Sequence, residues 1–319
     1  MQTREFDKVI SIIVTTYNSD RYVVETLESI KNQAYERIEL IISDDSSTDD
    51  TINTCRKWIE SNSSRFTKTV VVTSEVNTGI PANCNRGVKA SSGEWIKLIA
   101  GDDMLYPDAI DTYIRHIVSD EKSEKLFFHG KVMEFMRLDG REELSDLWKN
   151  ASLERFNHDD IKPAEQFQIL LRHSPVSAPT VIMQRSVYEE IGYFDEEFKF
   201  WEDRPMWLKL TGHGIRLHFI DEYLVKYRRH ESSVQMSGDD TFFSRTAISK
   251  DAGYRKLILK HLPWGERNLH AYLITVNRFF LSISNNKKTF ILKTLYKVLT
   301  IIPASLTERI TKRYKTSSK

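Results

Sequence analysis

Hydrophobic residues recur along the first hundred positions in two alternating rhythms. Runs of β-branched and aliphatic residues at Val9–Thr15, Ile38–Ser43, Val70–Thr73 and Ile96–Ile99 read as strands buried on both faces. Between them, Tyr22–Asn32 sets Val23, Leu27 and Ile30 at helical spacing. The polar run Ser46–Asp50 opens a helix through Trp58, and Pro81–Ala90 begins one with proline in its first turn. Strands and helices alternating in this way predict a doubly wound, mostly parallel sheet. After Pro107 the rhythm changes. A helix over Asp108–Ser119, a strand over Leu126–Met136, an irregular polar stretch over Arg137–Asp160 and a helix over Pro163–Arg172 are expected. A strand at Thr180–Met183 and helices at Ser186–Ile191 and Arg204–Leu210, stopped by Gly192 and Gly212, follow. From Thr241 only helical periodicity remains, broken at Pro263 and Pro303. The pattern predicts one α/β domain over 1–240, in halves 1–107 and 108–240, and a helical C-terminal region over 241–319.

Composition changes this picture in one respect. The 319 residues carry a net charge of +1, which gives no global signal for nucleic acid. From Lys250 to the C-terminus, however, 15 Lys and Arg face three acids, Asp251, Glu266 and Glu308. That region is +12, so the remainder is −11: a basic appendage on an acidic body. The two cysteines, Cys55 and Cys84, lack metal-ligand spacing, and a disulfide framework is not expected. The N-terminus has no signal-like apolar region, and no apolar run reaches 18 residues. A cytoplasmic protein is the expectation, with peripheral contact to the inner face of the membrane as an option.

The candidate chemistry sits at strand ends, where open α/β sheets bind ligands. Two strands end on aspartate pairs, Asp44-Asp45 and Asp102-Asp103. Adjacent carboxylates repel, and hard divalent cations take oxygen ligands, so one pair suits a metal bridging a diphosphate. Thr15-Thr16-Tyr17-Asn18 offers hydroxyls, an aromatic face and an amide. Asn77–Gly87 brings Gly79 and Asn85 to a loop entering a helix, where backbone amides face phosphate. It is neither a dinucleotide fingerprint nor a P-loop. Glu202-Asp203, among aromatics at a helix start, suits a general base with a raised pKa, or only a favourable helix dipole. Tyr227-Arg228-Arg229-His230 supplies cations for a departing diphosphate.

In this order, the segments resemble the inverting glycosyltransferases of family 2, which have the GT-A fold. The resemblance runs from about Val9 to Ser233. It rests on Ile12–Asn18, Ser43–Thr51, Asn77-Thr78-Gly79, Gly93-Glu94-Trp95 with Ala100–Asp103 and Pro107-Asp108, Gly192–Glu196, and Trp201-Glu202-Asp203. It implies a GT-A fold with a nucleotide-binding first half, an acceptor-binding catalytic second half and a C-terminal helical appendage. By resemblance Thr15, Tyr17 and Asp45 hold the nucleoside, with Gly79, Asn85 and Asp102 also on the nucleotide sugar. Asp103 is the metal ligand for Mg²⁺ or Mn²⁺, with Asp102 and His230 as further candidates, and Asp203 is the catalytic base. Three positions depart from the family pattern: Ala100 where many members begin an Asp-x-Asp, Ser46 where glycine is usual, and Cys84 where arginine is frequent.

The implied reaction is metal-dependent transfer of a sugar, with inversion, from a nucleotide diphosphate sugar to an acceptor hydroxyl. The donor expected first is a UDP-sugar, and the acceptor a glycan or lipid-linked glycan of polysaccharide biosynthesis. Sugar and acceptor identity would be set by Arg137–Asp160 and His173–Thr180. A homo-oligomer is a further option. Two other readings are weaker. A nucleotide-sugar pyrophosphorylase needs a Gly-rich, basic loop after the first strand, which Thr15–Asn18 is not. A non-catalytic assembly partner would not need the retained Asp103 and Asp203. Finally, Ile291, Leu295, Val298 and Leu299 share one face of a helix with Lys293 and Lys297 off it. That face suits an anionic membrane surface, or packing on the domain or a second subunit.

Overall fold

Four strands form the first half of the sheet: β1 (Ile10–Thr16), β2 (Ile38–Asp44), β3 (Lys68–Thr73) and β4 (Trp95–Ala100). They pair in parallel in the order β3-β2-β1-β4, so all four end on one edge. Alternate side chains serve opposite layers. Ile10, Ile12 and Val14 pack with Leu27 of α1 (Val23–Lys31) and Trp58 of α2 (Thr51–Asn62). Ile13 and Ile41 pack with Cys84 and Val88 of α3 (Ile80–Ala90). Burial on both faces is why β1, β2 and β4 read as largely apolar runs, while β3 at the sheet edge is only partly buried, and the doubly wound expectation holds here.

The computed structural model describes residues 6–120, 124–138, 141–146, 154–230, 243, 251, 253–284, 287 and 289–316. The boundary expected at 240/241 lies outside them, as do 139–140 and 147–153 of the polar stretch.

Beyond β4 the sheet continues as β4-β8-β6-β9-β5. Here β5 is Met104–Leu105, β6 Phe127–Leu138, β8 Ile182–Gln184 and β9 His218–Arg228. β8 runs antiparallel to β4 and β6, β9 is parallel to β6, and β5 is antiparallel to β9. β7 (Arg141–Asp146) pairs with β6. One expectation is corrected, since the polar stretch Arg137–Asp160 contains a strand and a short helix, α5 (Glu154–Asn157). The segment before the Arg-Arg-His run, to which the pattern assigned no element, is a strand. Helices α4 (Ala109–Val118), α6 (Pro163–Leu170), α7 (Arg185–Ile191) and α8 (Asp203–Gly212) fall close to the expected positions.

The core under β6 contains a titratable pair. His129 is fully buried against Phe127, Phe156 and Phe219, and neither ring nitrogen has a partner among the described residues. Burial pulls its pKa down to about 3 and that of the neighbouring His218 to about 4, from 6.5. The folded state thus favours neutral rings. The stability this contributes is complete above the ordinary value and is lost as pH falls through the window down to the folded values. Denaturant unfolding is expected to show a loss on the order of 1–3 kcal/mol between about pH 7 and pH 4, reduced by about half in His129→Leu because His218 keeps its own share. A wild-type midpoint unmoved over that range would contradict this account.

The C-terminal region is two helices, α9 (Trp264–Ser284) and α10 (Phe290–Thr316), preceded by a short helical turn at Tyr254–Ile258. It is fastened to the second half of the sheet domain by a buried ion pair, Arg172 Nε to Glu266 Oε2 at 2.9 Å. Trp201 stacks on Tyr254, with ring planes 2° apart and centroids separated by 6.0 Å. The chain passes so close to this indole that a Cβ on Gly253 would sit 1.9 Å from it.

Candidate active site

Parallel pairing puts the C-terminal ends of β1, β2 and β4 side by side, with Thr15 opposite Ser43 and Ala100. The two aspartates after β2 do different work. Asp44 is buried and accepts from Thr16 Oγ1 at 2.8 Å and from the Ser47 backbone and hydroxyl, which ties the ends of β1 and β2 together. Asp45 accepts from Thr78 N and Gly79 N at 3.0 and 2.7 Å and from Thr78 Oγ1, and it pairs with Arg86 Nη2 at 3.3 Å. The cation beside Asp45 therefore comes from Arg86, two residues after Cys84. Thr15 is partly exposed and Tyr17 is half exposed.

Gly79 adopts φ +95°, and a Cβ there would lie 2.9 Å from the carbonyl oxygen of Lys199. Ile80 N donates to that same oxygen at 2.9 Å. Asn85 is buried. Its amide donates to Phe194 O and Glu196 Oε1, and its oxygen accepts from Phe194 N. Gly79 and Asn85 thus fasten the 194–202 segment to the start of α3. That fastening brings the start of α8 to the strand-end edge, because α3 begins there. Asp203 opens α8, is partly exposed, and accepts from Arg204 N at 2.7 Å. Glu202 and Asp45 lie near enough to Cys84 for their charges to add to burial in raising its thiol pKa.

The pair after β4 is divided by its second neighbour. Asp103 is buried, and its Oδ1 accepts from Arg228 N at 2.9 Å, just beyond the end of the β5–β9 pairing. Burial, then the adjacent Asp102, pushes its carboxyl well above the ordinary range. Asp102 is partly exposed, and its Oδ2 lies 2.9 Å from His230 Nε2. The structure therefore turns Asp103, expected first on the metal, into the fold and leaves Asp102 with His230 at the edge. Arg228 is likewise buried, donating to Asp102 O, pairing with Glu25 at 3.2 Å, and lying between the rings of Tyr22 and Phe135. Its expected place on a diphosphate is corrected to a scaffold role, because its charge is met inside. Arg229 pairs with Glu134.

Tyr22 lies 4.8 Å from the His230 ring, centroid to centroid. Nothing in the sequence singles it out, beyond its place five residues after Tyr17. Among the described residues no three His, Cys, Asp or Glu side chains gather closely enough to enclose a cation. Asp102 and His230 nonetheless bring a carboxylate and an imidazole together at the end of β4, bonded to each other. Such a partial set fits a cation that takes its remaining ligands from a bound diphosphate.

The family model described as glycosyl transferase family 2 matches residues 11–192, more than half of the chain. The chain belongs to this family. An uncharacterized glycosyltransferase of Haemophilus influenzae is 28% identical over 70% of the chain and 66% of its own length, a little under two thirds. The Escherichia coli UDP-Glc:alpha-D-GlcNAc-diphosphoundecaprenol beta-1,3-glucosyltransferase WfaP is 24% identical over 78% of the chain and 88% of its own length. Among solved structures, Staphylococcus aureus TarS 1-349 with UDP-GlcNAc superposes with a TM-score of 0.57 at 20% identity, covering 85% of this chain and 72% of that one. The mannosyltransferase PcManGT of Pyrobaculum calidifontis, with GDP-Man and Mn²⁺, gives 0.53 at 15% identity, covering 98% and 76%. The family 2 chain therefore has the GT-A fold of these glycosyltransferases, as its motifs imply.

Proposed function

We propose that this family 2 chain transfers a sugar from a nucleotide diphosphate sugar to an acceptor hydroxyl, with inversion at the anomeric carbon. The observation that carries the reading is a pairing of two features on one sheet edge. Asp102 with His230 stands at the end of β4, and Asp203 is brought to the same edge by the contacts of α3 with residues 194–202. Thr15 and Tyr17 would line the nucleoside, with Asp45 shaping its floor through Thr78 and Gly79. Asp102 and His230 would hold Mg²⁺ or Mn²⁺, which when bound offsets charge on the diphosphate. Asp203 would take the proton of the acceptor hydroxyl as that oxygen attacks. One carboxylate suffices for such a direct displacement. The E. coli relative, a glucosyltransferase acting on GlcNAc-diphosphoundecaprenol, supports a lipid-linked glycan as the acceptor class.

A thermal-shift screen of nucleotide sugars, with and without Mn²⁺, tests the reading. A donor at about a hundred times its Kd stabilises the native state by roughly 2.7 kcal/mol, a readily measured rise in Tm. We expect a UDP-sugar to raise Tm, and to do so more with Mn²⁺. If no nucleotide sugar shifts Tm or is consumed with any glycan acceptor, the transferase reading fails and a non-catalytic role takes its place.

A further inference from the structure

Among the described residues, the C-terminal hairpin is covered on one side only. Its inner contacts are specific: Tyr296 OH donates to Asn277 Oδ1 at 2.9 Å, Tyr272 OH donates to Leu299 O, and Phe280 packs edge-on against Tyr296. The opposite face of α10 presents Ile291, Leu295, Val298 and Ile301, which are 77%, 44%, 65% and 66% exposed. At 100° per residue these four fall within one arc, while Leu292, Tyr296 and Leu299 fall on the side toward α9. Lys293 and Lys297 are exposed and lie together on one side of the apolar stripe, beyond Ile301. On α9, Phe279 and Ile283 are also exposed, with Arg278 beside them. An apolar stripe this long is uncommon on a free monomer surface.

Charge selects the occupant. From Trp264 to the C-terminus the sequence has 11 Lys and Arg against two acids. One of those acids, Glu266, is already met by Arg172. A second copy of the same hairpin would bring like charge against like charge. An anionic lipid surface accepts both features, with aliphatic side chains entering the headgroup boundary and lysines facing lipid phosphates. No helix among the described residues is long and apolar enough to cross a membrane, so the geometry is that of a helix lying in the interface.

We propose that the exposed face of α10 docks the protein on an anionic bilayer. The docking is rigidly coupled to the candidate active site. The Arg172–Glu266 pair and the Trp201–Tyr254 stack fix the hairpin to the segment that carries Asp203, and Arg204 donates to Tyr254 OH at 2.8 Å. The bilayer plane thereby sets which edge of the sheet faces the lipid. This placement stands independently of the transfer reaction, because it is measured without donor or acceptor.

Flotation of the full chain with vesicles is the test. Binding is expected to phosphatidylglycerol–phosphatidylcholine vesicles at low salt, with much weaker binding to phosphatidylcholine alone. Ile291→Glu/Val298→Glu and, separately, Lys293→Glu/Lys297→Glu are each expected to weaken binding by about tenfold or more, the scale of two lost lysine contacts. All four positions are exposed, so Tm and any donor-induced shift should be unchanged in both variants. The proposal is overturned if wild type fails to float with anionic vesicles, or if both double variants float as well as wild type. It is equally overturned if sedimentation reveals a dimer that Ile291→Glu/Val298→Glu dissolves, which would make the face a self-association surface.

Discussion

Replacing Asp203 with asparagine is expected to leave donor binding near wild type while turnover falls by about two to four orders of magnitude, the range for lost general-base catalysis. The side chain opens α8 and its Oδ1 already accepts the Arg204 N–H, so an amide oxygen can keep that contact. Asparagine preserves the shape and loses only the proton acceptor. The measurement is kcat with a glycan acceptor beside donor Kd by calorimetry. Should Glu202→Gln reproduce the loss while Asp203→Asn stays active, the base is the neighbouring carboxylate, at the N-cap position one residue earlier.

Asp102 and Asp103 should separate cleanly by the kind of damage each causes. Asp102→Ala and His230→Ala are each expected to remove most of the Mn²⁺-dependent gain in nucleoside diphosphate affinity, a loss of tenfold or more (about 1.4 kcal/mol), with Tm little changed. Asp103→Ala leaves Arg228 N without its acceptor in the interior. It should therefore appear as lost stability, on the order of 1–3 kcal/mol for an orphaned buried group. Calorimetry with Mn²⁺ and UDP, alongside thermal unfolding, reads both. If Asp103→Ala folds normally yet loses the metal effect while Asp102→Ala retains it, the assignment of the two carboxylates is reversed.

The sequence alone leaves that choice open, for a physical reason. Neighbours at a strand end point in opposite directions, and which one faces the interior is decided by β9, which pairs with β5 across more than a hundred residues of sequence. β9 itself is hidden because His218–Arg228 mixes charged residues with apolar ones. The folded chain satisfies those charges one by one: Asp221 with Lys131, Glu222 with Arg115, Lys226 with Glu142, Arg228 with Glu25. A strand whose charges are met by its neighbours gives no clean alternation to read. β7 is hidden differently, since Arg141–Asp146 is largely exposed and has little apolar face to advertise. The parallel half, by contrast, is legible almost to the residue, because strands buried on both sides must be apolar throughout. Lys97 is the instructive exception. It sits fully buried in β4, donates to Leu98 O and Pro179 O, and has its pKa drawn by burial down to about 7, yet nothing in the apolar run around it foretells a buried amine.

The pairing of β5 with β9 has a consequence for the order in which the molecule is made. Asp102 leaves the ribosome with the first hundred residues, in a four-stranded unit whose parallel pairings are all internal to it. Its imidazole partner is residue 230, and the amide that holds Asp103 belongs to residue 228. A growing chain can thus own a nearly finished parallel sheet while the candidate cation pair does not yet exist. The two halves of that pair meet only when the last strand slots between β6 and β5, so completing the sheet and completing the site are one event.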